Sequence, residues 1–260
     1  MELFSVDKEM CRRDGICIES CPLGCLTADA DGYPVATADP VCIECGHCVA
    51  ICPHGAMQNN KLPMQNFLPA PRERASFEAT AGLMKDRRSV REFKNKPVPR
   101  ETLAELLDVA RFAPTAKNTQ QISYIVTADP ERTKTLGAAI AQWMLPKPGM
   151  ERYAKLNALG NDFVMRGAPH LVVALADAGS DWGLTDAGIA LSYLELAAAA
   201  HGLGVCWAGI VHRALDLNAE LAASIGVPEN KKVCGALMLG VPKYRYALVP
   251  PRNPAPVSWL

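Results

Sequence analysis

The stretch Cys42-Ile43-Glu44-Cys45-Gly46-His47-Cys48-Val49-Ala50-Ile51-Cys52-Pro53 decides how the rest of the chain is read. Three thiols in tandem at this spacing can wrap one loop around the corner of an iron–sulfur cube. The fourth, followed by proline, points away toward a second cluster. Zinc sites also use paired cysteines, but they do not need three such cysteines in tandem with a fourth of this kind. The spacing predicts iron–sulfur ligation in preference to zinc or to inert buried thiols.

A half-copy of the run precedes it: Cys11-Arg12-Arg13-Asp14-Gly15-Ile16-Cys17-Ile18-Glu19-Ser20-Cys21-Pro22. Laid over the second run, Cys11, Cys17 and Cys21 take the first, third and fourth cysteine positions, and Asp14 stands at the second. Two such halves build a pseudo-symmetric domain of short strands and two short helices. Because the fourth cysteines cross over, one site comprises Cys42, Cys45, Cys48 and Cys21. The other comprises Cys11, Cys17 and Cys52, with Asp14 or nothing as its fourth ligand, so that a [4Fe-4S] or a [3Fe-4S] cluster is expected there. The segment resembles bacterial two-cluster ferredoxins, and the spacing of Cys21 to Cys25 is similar to that of seven-iron ferredoxins. That resemblance implies that Cys25 lies beside a cluster without ligating it; a small buried hydrophobe is the plain reading of the same residue. His47 and His54 read as surface groups or as neighbours of the ligands.

Eight of the ten cysteines fall within the first 52 residues, so the two parts of the chain differ in chemistry. No signal-peptide pattern opens the sequence, and cysteine-rich ligation without one points to a reducing cytoplasm. Ile189 to Ala200, the most apolar run, is interrupted by Glu195 and is too short to span a bilayer. The charges cancel overall, 27 basic against 27 acidic. The basic residues are scattered and form no stripe, which excludes a nucleic-acid footprint.

Residues 1–60 read as the iron–sulfur domain, 61–80 as a proline-bearing extended linker, and 81–260 as a second domain. In the last of these, Glu101–Ala113 and Thr185–His201 have helical patterns. Ile122–Thr127, Leu171–Ala176, Val205–Ile210 and Val233–Leu239 read as strands. The fold class is α+β: a ferredoxin-like domain, then a sandwich of helices around a mixed sheet. Thr185–His201, apolar nearly all round, belongs to a core or a subunit interface. Gly202 and Gly204 follow a helix and precede a strand, the reverse of a dinucleotide fingerprint, and read as helix-capping residues. Cys206 and Cys234 read as inert core residues.

Arg87-Arg88-Ser89-Val90-Arg91-Glu92-Phe93, followed by Ala113-Pro114-Thr115-Ala116-Lys117-Asn118-Thr119-Gln120, resembles the opening of the nitroreductase family of FMN enzymes. Asp186-Ala187-Gly188, Gly202 to Gly209, Leu239-Gly240-Val241-Pro242 and Arg252 are similar to its later signposts, in order. The resemblance implies cofactor binding by Arg87, Arg88, Ser89, Arg91, Pro114, Thr115, Asn118, Gln120, Gly209 and Arg252. It further implies a homodimer in which Thr115, Asn118 and Gln120 reach the partner's flavin. The chemistry agrees, since guanidinium groups grip phosphate oxygens with charge-assisted, bidentate bonds.

The whole chain then reads as an FMN-dependent oxidoreductase. Its clusters receive single electrons and its flavin reduces a small acceptor such as a nitroaromatic or a quinone; the donor is a low-potential one such as a reduced ferredoxin, or NAD(P)H, which gives its hydride to a flavin. No side chain stands out as a catalytic acid or base. An electron-transfer or redox-sensing module without a small-molecule substrate is the other reading of the cysteine-rich segment. A zinc-binding domain on a hydrolase is a third, and it predicts a colourless protein.

Overall fold

The computed structural model describes residues 2–260. The chain forms two compact units. The first runs to Arg74 and takes in Lys117–Thr119; the second comprises Ala75–Ala116 and Gln120–Leu260.

In the first unit, β1 (Phe4–Val6) pairs antiparallel with β4 (Met57–Asn59), and β2 (Leu26–Ala28) pairs with β3 (Pro34–Ala36). Two one-turn helices, α1 (Ile16–Glu19) and α2 (His47–Ala50), complete the repeat. The halves match in backbone conformation at the turns that open their helices. Gly15 and Gly46 begin their helices at φ 75° and 73°, and Arg13 and Glu44, two places earlier in each half, are also left-handed at 56° and 53°. Only glycine takes such a φ at no steric cost, so both glycines follow from the turn. Asp14 thus occupies the same backbone position as Cys45, and the two halves differ there in chemistry alone. Phe4, Leu26, Val49 and Met57 form the core with Cys17, Cys25 and Cys48.

The second unit is built on one four-stranded sheet in the order β5 (Ser123–Val126), β6 (His170–Asp177), β8 (Lys231–Gly240), β7 (Gly204–Trp207), with every ladder antiparallel. The parallel component of the expected mixed sheet is a single bridge, Ser89 to Val205. β6 is buried on both faces, which explains its unbroken apolar run. Leu171, Val173 and Leu175 face α5 (Pro130–Met144) and α8 (Gly209–Leu217). Val172, Ala174 and Ala176 face α4 (Arg100–Ala110) and α7 (Gly183–Ala200). Helices therefore cover both sides of the sheet. Three shorter helices complete the unit: α3 (Phe77–Asp86), α6 (Glu151–Ala158) and α9 (Ala219–Ser224).

Several expectations change in detail. The extended linker stops short of residue 80, because Ser76 caps α3 by accepting the Ala79 N–H at 3.1 Å and the helix starts at Phe77. The strand expected over Val205–Ile210 ends at Trp207. From Gly209 the apolar positions Val211, Ala214 and Leu215 recur at helical spacing and form α8. Gly202 is a helix-capping residue at φ 73°. Gly204 has a different reason: a Cβ there would lie 2.7 Å from Val90, so its bareness lets the 87–91 segment lie against β7.

Candidate functional site

The two cysteine groups expected from the repeat are each brought together around a hollow. One is walled by Cys21, Cys42, Cys45 and Cys48, with Cys25 and Asn59 also on its surface. The other is walled by Cys11, Asp14, Cys17 and Cys52, with His54 beside them. All ten cysteines are free thiols. Among the described residues, no three His, Cys, Asp or Glu side chains converge on the position of a single ion. Thiols dispersed around a hollow suit a polynuclear cluster, in which each iron takes one of them.

The first hollow carries N–H groups aimed at sulfur. Cys25 N–H donates to Cys21 Sγ (3.2 Å), Glu44 N–H to Cys42 Sγ (3.4 Å), and the Asn59 side-chain amide to Cys42 Sγ (3.7 Å). Burial opposes ionisation of Cys21, yet the backbone N–H groups around it bring its thiol below the usual range. Burial, with Cys21 next to it, pushes the Cys25 thiol up to about 11. Burial pushes Cys48 equally high, so thiol acidity does not separate a ligand from a neighbour. At the second hollow, Asp14 Oδ1 accepts the Ile16 N–H at 3.3 Å and Oδ2 lies 3.9 Å from His54 Nε2.

In the second unit, Arg87 and Arg88 border a cavity of about 490 Å³ together with Lys94, Arg245, Tyr246, Asp86 and Glu195. Arg87 Nη1 donates to Glu195 Oε1 at 3.1 Å, and Glu195 Oε2 accepts the Trp207 Nε1–H at 3.4 Å. Arg87 Nε is buried without an acceptor. That orphaned donor, in a cavity bordered by four cationic side chains, fits a multiply charged anion such as a phosphate. The Arg88 guanidinium sits 6.0 Å from the Tyr246 ring centroid. Ser89 contributes backbone pairing with Val205, and Arg91, exposed, donates to the Ser89 carbonyl at 3.3 Å. Arg252 is exposed, with Pro251 O as its acceptor, and is not among the cavity-lining residues. Gly209 opens α8 with free space where a Cβ would stand.

The 115–121 segment is strained and held. Lys117, Asn118 and Gln120 are all left-handed, at φ 52°, 53° and 49°, an uncommon choice for residues with a Cβ. Buried Asp186 fastens its flanks in the second unit: Oδ1 accepts the Ala116 N–H at 3.0 Å and Oδ2 accepts from the Gln121 amide at 3.1 Å. Thr115 Oγ1 accepts the Gln120 N–H at 3.0 Å, and Pro114 precedes it at the surface. Within the first unit, the Asn118 amide donates to the carbonyls of Ile43 and Glu44, each at 3.0 Å. Burial pushes the thiols of Cys206 and Cys234 up, as expected of inert core residues.

The sequence reading had no role for Lys94, Arg245, Asp186 or Asn59, and it passed over Glu195 except as a break in an apolar run. That break is a usable signal, because a carboxylate in a buried helix requires a partner.

The fold and the two cysteine-walled hollows define a redox protein built from an iron–sulfur segment and an α+β unit. The Nitroreductase family profile matches residues 84–241, and the 4Fe-4S dicluster domain profile matches residues 3–53. The chain belongs to the nitroreductase family and is by class a flavin-dependent oxidoreductase. It is 33% identical over 159 residues to the 5,6-dimethylbenzimidazole synthase of Rhodospirillum rubrum, covering 52% of this chain and 74% of that protein. It is 38% identical over 58 residues to a seven-iron ferredoxin of Hydrogenibacillus schlegelii, covering 22% of this chain and 64% of that one. A nitroreductase with bound FMN from Desulfitobacterium hafniense shares the fold at a TM-score of 0.60 and 24% identity, over 70% of this chain and 97% of that one. Among the described residues, no helix is long and apolar enough to cross a membrane.

Proposed function

We propose that the protein is an FMN-dependent oxidoreductase that takes in single electrons through its own iron–sulfur clusters and reduces a small acceptor, such as a nitroaromatic or a quinone, at the flavin. The carrying observation is the gathering of Cys21, Cys42, Cys45 and Cys48 around one hollow in a chain of the nitroreductase family. Bound clusters supply one-electron steps, and bound FMN supplies a carrier that takes electrons singly and yields them in pairs. Two single-electron deliveries and two protons then balance one two-electron reduction of the acceptor.

The residues of this chain bind and orient. Arg87 and Arg88, which border the cavity, hold the phosphate end of FMN, and Glu195 fixes the guanidinium of Arg87; Ser89, Arg91 and Arg252, outside that lining, are assigned to FMN by the family resemblance. Gly209 leaves room for close backbone approach to the cofactor. Pro114, Thr115 and Gln120 face the flavin of a partner protomer in a homodimer, while the Asn118 amide braces the Ile43–Glu44 loop. One cluster is a [4Fe-4S] cube at Cys21, Cys42, Cys45 and Cys48; the other uses Cys11, Cys17 and Cys52 with Asp14 as the fourth ligand. Ten free thiols and oxidisable clusters suit the reducing cytoplasm, with a reduced ferredoxin or NAD(P)H as donor.

The test is anaerobic purification with iron, sulfide and FMN counted per chain, followed by turnover of a nitroaromatic with reduced viologen as donor. One FMN per chain, and dye-driven turnover lost on Cys45→Ser, are expected. FAD, or no flavin after incubation with FMN, overturns the reading.

A further inference from the structure

Asn59 closes β4, is only 3% exposed, and borders the hollow walled by Cys21, Cys42, Cys45 and Cys48. Its side chain is used at both ends. Oδ1 accepts the Lys61 N–H at 3.0 Å, which orients the amide, and Nδ2 lies 3.7 Å from Cys42 Sγ. A buried amide N–H needs an acceptor, and the sulfur of Cys42 provides it.

The two hollows differ in this respect. Cys42 Sγ receives the Asn59 amide and the Glu44 N–H, and Cys21 Sγ receives the Cys25 N–H. At the other hollow the backbone N–H groups of Cys17 and Ile18 face the Cys17 sulfur, but among the described residues no side-chain amide donates to the sulfur of Cys11, Cys17 or Cys52. Backbone N–H···S contacts arise from the loop itself, but the Asn59 contact depends on one side chain. The repeat that lays Cys21 over Cys52 sets Ala28 against Asn59, so the first half has no amide to offer.

We propose that Asn59 is a positioning residue that raises the reduction potential of the Cys21/Cys42/Cys45/Cys48 cluster, an effect that no side-chain amide exerts on the Cys11/Cys17/Cys52 cluster. The proposal rests on the reading that both hollows hold clusters. Gaining one electron makes a cluster and its thiolates more negative. A hydrogen bond to a ligating sulfur favours the more negative state, so the reduced form gains more from it than the oxidised form does. The Asn59 amide therefore raises the potential of this cluster above the value it would have without that donor.

An anaerobic redox titration of the full-chain holoprotein, followed by electron paramagnetic resonance with iron and sulfide counted on the same samples, tests this. In Asn59→Leu, close in size but without a donor, one of the two midpoint potentials should become more negative while the other stays in place and the iron count is unchanged. Asn59→Asp keeps an acceptor for the Lys61 N–H but has no donor, and should shift the same midpoint in the same direction and further. Unmoved midpoints in iron-replete variants, or equal shifts of both, overturn the proposal. Should the variants load incompletely, wild-type protein with ¹⁵N-labelled asparagine side chains decides the matter. A ¹⁵N coupling on one reduced cluster supports the contact, and its absence from both removes it. Wild-type protein without iron after anaerobic reconstitution overturns the cluster reading itself and is distinguishable from every outcome above.

Discussion

Arg87 and Glu195 form an ion pair at 3.1 Å in which the arginine side chain is 26% exposed and the glutamate 7%. Glu195 sits in the apolar second half of α7, and its second oxygen is occupied by the Trp207 indole. Removing one member of a buried pair leaves the other charge without compensation, at a cost of about 3 kcal/mol. Glu195→Ala should lower the unfolding free energy in urea by that order and weaken FMN binding as Arg87 loses its anchor. The double variant Arg87→Met with Glu195→Leu should recover most of the stability and none of the FMN affinity, because apolar replacement of both partners removes the desolvation cost. A double variant that still binds FMN at wild-type strength would dissociate Arg87 from the cofactor.

Asp186 offers a second separable effect. Its carboxylate accepts from both flanks of the strained 115–121 segment, at Ala116 and Gln121. Asp186→Ala should cost about 1.5–3 kcal/mol for a hydrogen bond to a charged group. Hydrogen exchange should quicken at Ala116 and its neighbours well before it quickens in β6. Unchanged protection there would mean that the left-handed residues are held by something other than this aspartate.

What the sequence discloses depends on how local each relationship is. The cysteine repeat is legible because ligands to one cluster must recur at short, fixed spacing, and Gly15 and Gly46 mark the same turn twice. α7 is legible because one long apolar run has a single period. By contrast, Arg87 and Glu195 are 108 residues apart, and neither position announces its partner. Asn59 looks like any polar residue at the end of a strand until folding carries it to Cys42. The stretch from Val205 to Val211 joins a short strand to a helix without a break in apolar character, so its periodicity does not reveal the turn at Ala208.

His170, which sequence reading did not single out, gives a pH-dependent prediction. The ring is wholly buried: Nε2 accepts the Val98 N–H at 2.8 Å, and Nδ1–H donates to Thr127 O at 2.9 Å. Burial holds its pKa below the ordinary value, partly offset by the Thr127 carbonyl. In the unfolded chain a histidine titrates near ~6.5. Below that pH the unfolded state takes up a proton that the folded state refuses, so stability falls as pH drops through this window and toward the folded pKa. Above it, the group contributes no slope. All four tryptophans lie in the second unit, so urea unfolding followed by tryptophan fluorescence isolates the effect. His170→Gln should flatten the slope below pH 6.5 while lowering stability at pH 8 by about 1–3 kcal/mol, as one of the two backbone groups loses its partner. A slope that survives the substitution would place the titrating group elsewhere.

The last prediction concerns Asp14, which stands where the second half has Cys45. The residues flanking the two positions share left-handed φ values, Arg13 with Glu44 and Gly15 with Gly46, so the turns are alike and the side chain offered to the cluster differs. Asp14 shares the smaller hollow with Cys11, Cys17 and Cys52, and its carboxylate is already held by the Ile16 N–H. A hard oxygen ligand suits iron less well than a soft thiolate and is more easily displaced, so iron loss should begin at this corner. Mild oxidation of the wild type should yield a three-iron paramagnetic signal and a count near seven irons per chain. Asp14→Cys should keep eight under the same treatment and lack that signal. Full retention of iron by the wild type would mean that Asp14 binds firmly or that Cys25 has taken a place as ligand. Cys25 borders the other hollow and donates its N–H to Cys21 Sγ, which argues for the first of these. Cys25→Ala separates them: iron is retained if Asp14 is the ligand and lost if Cys25 is.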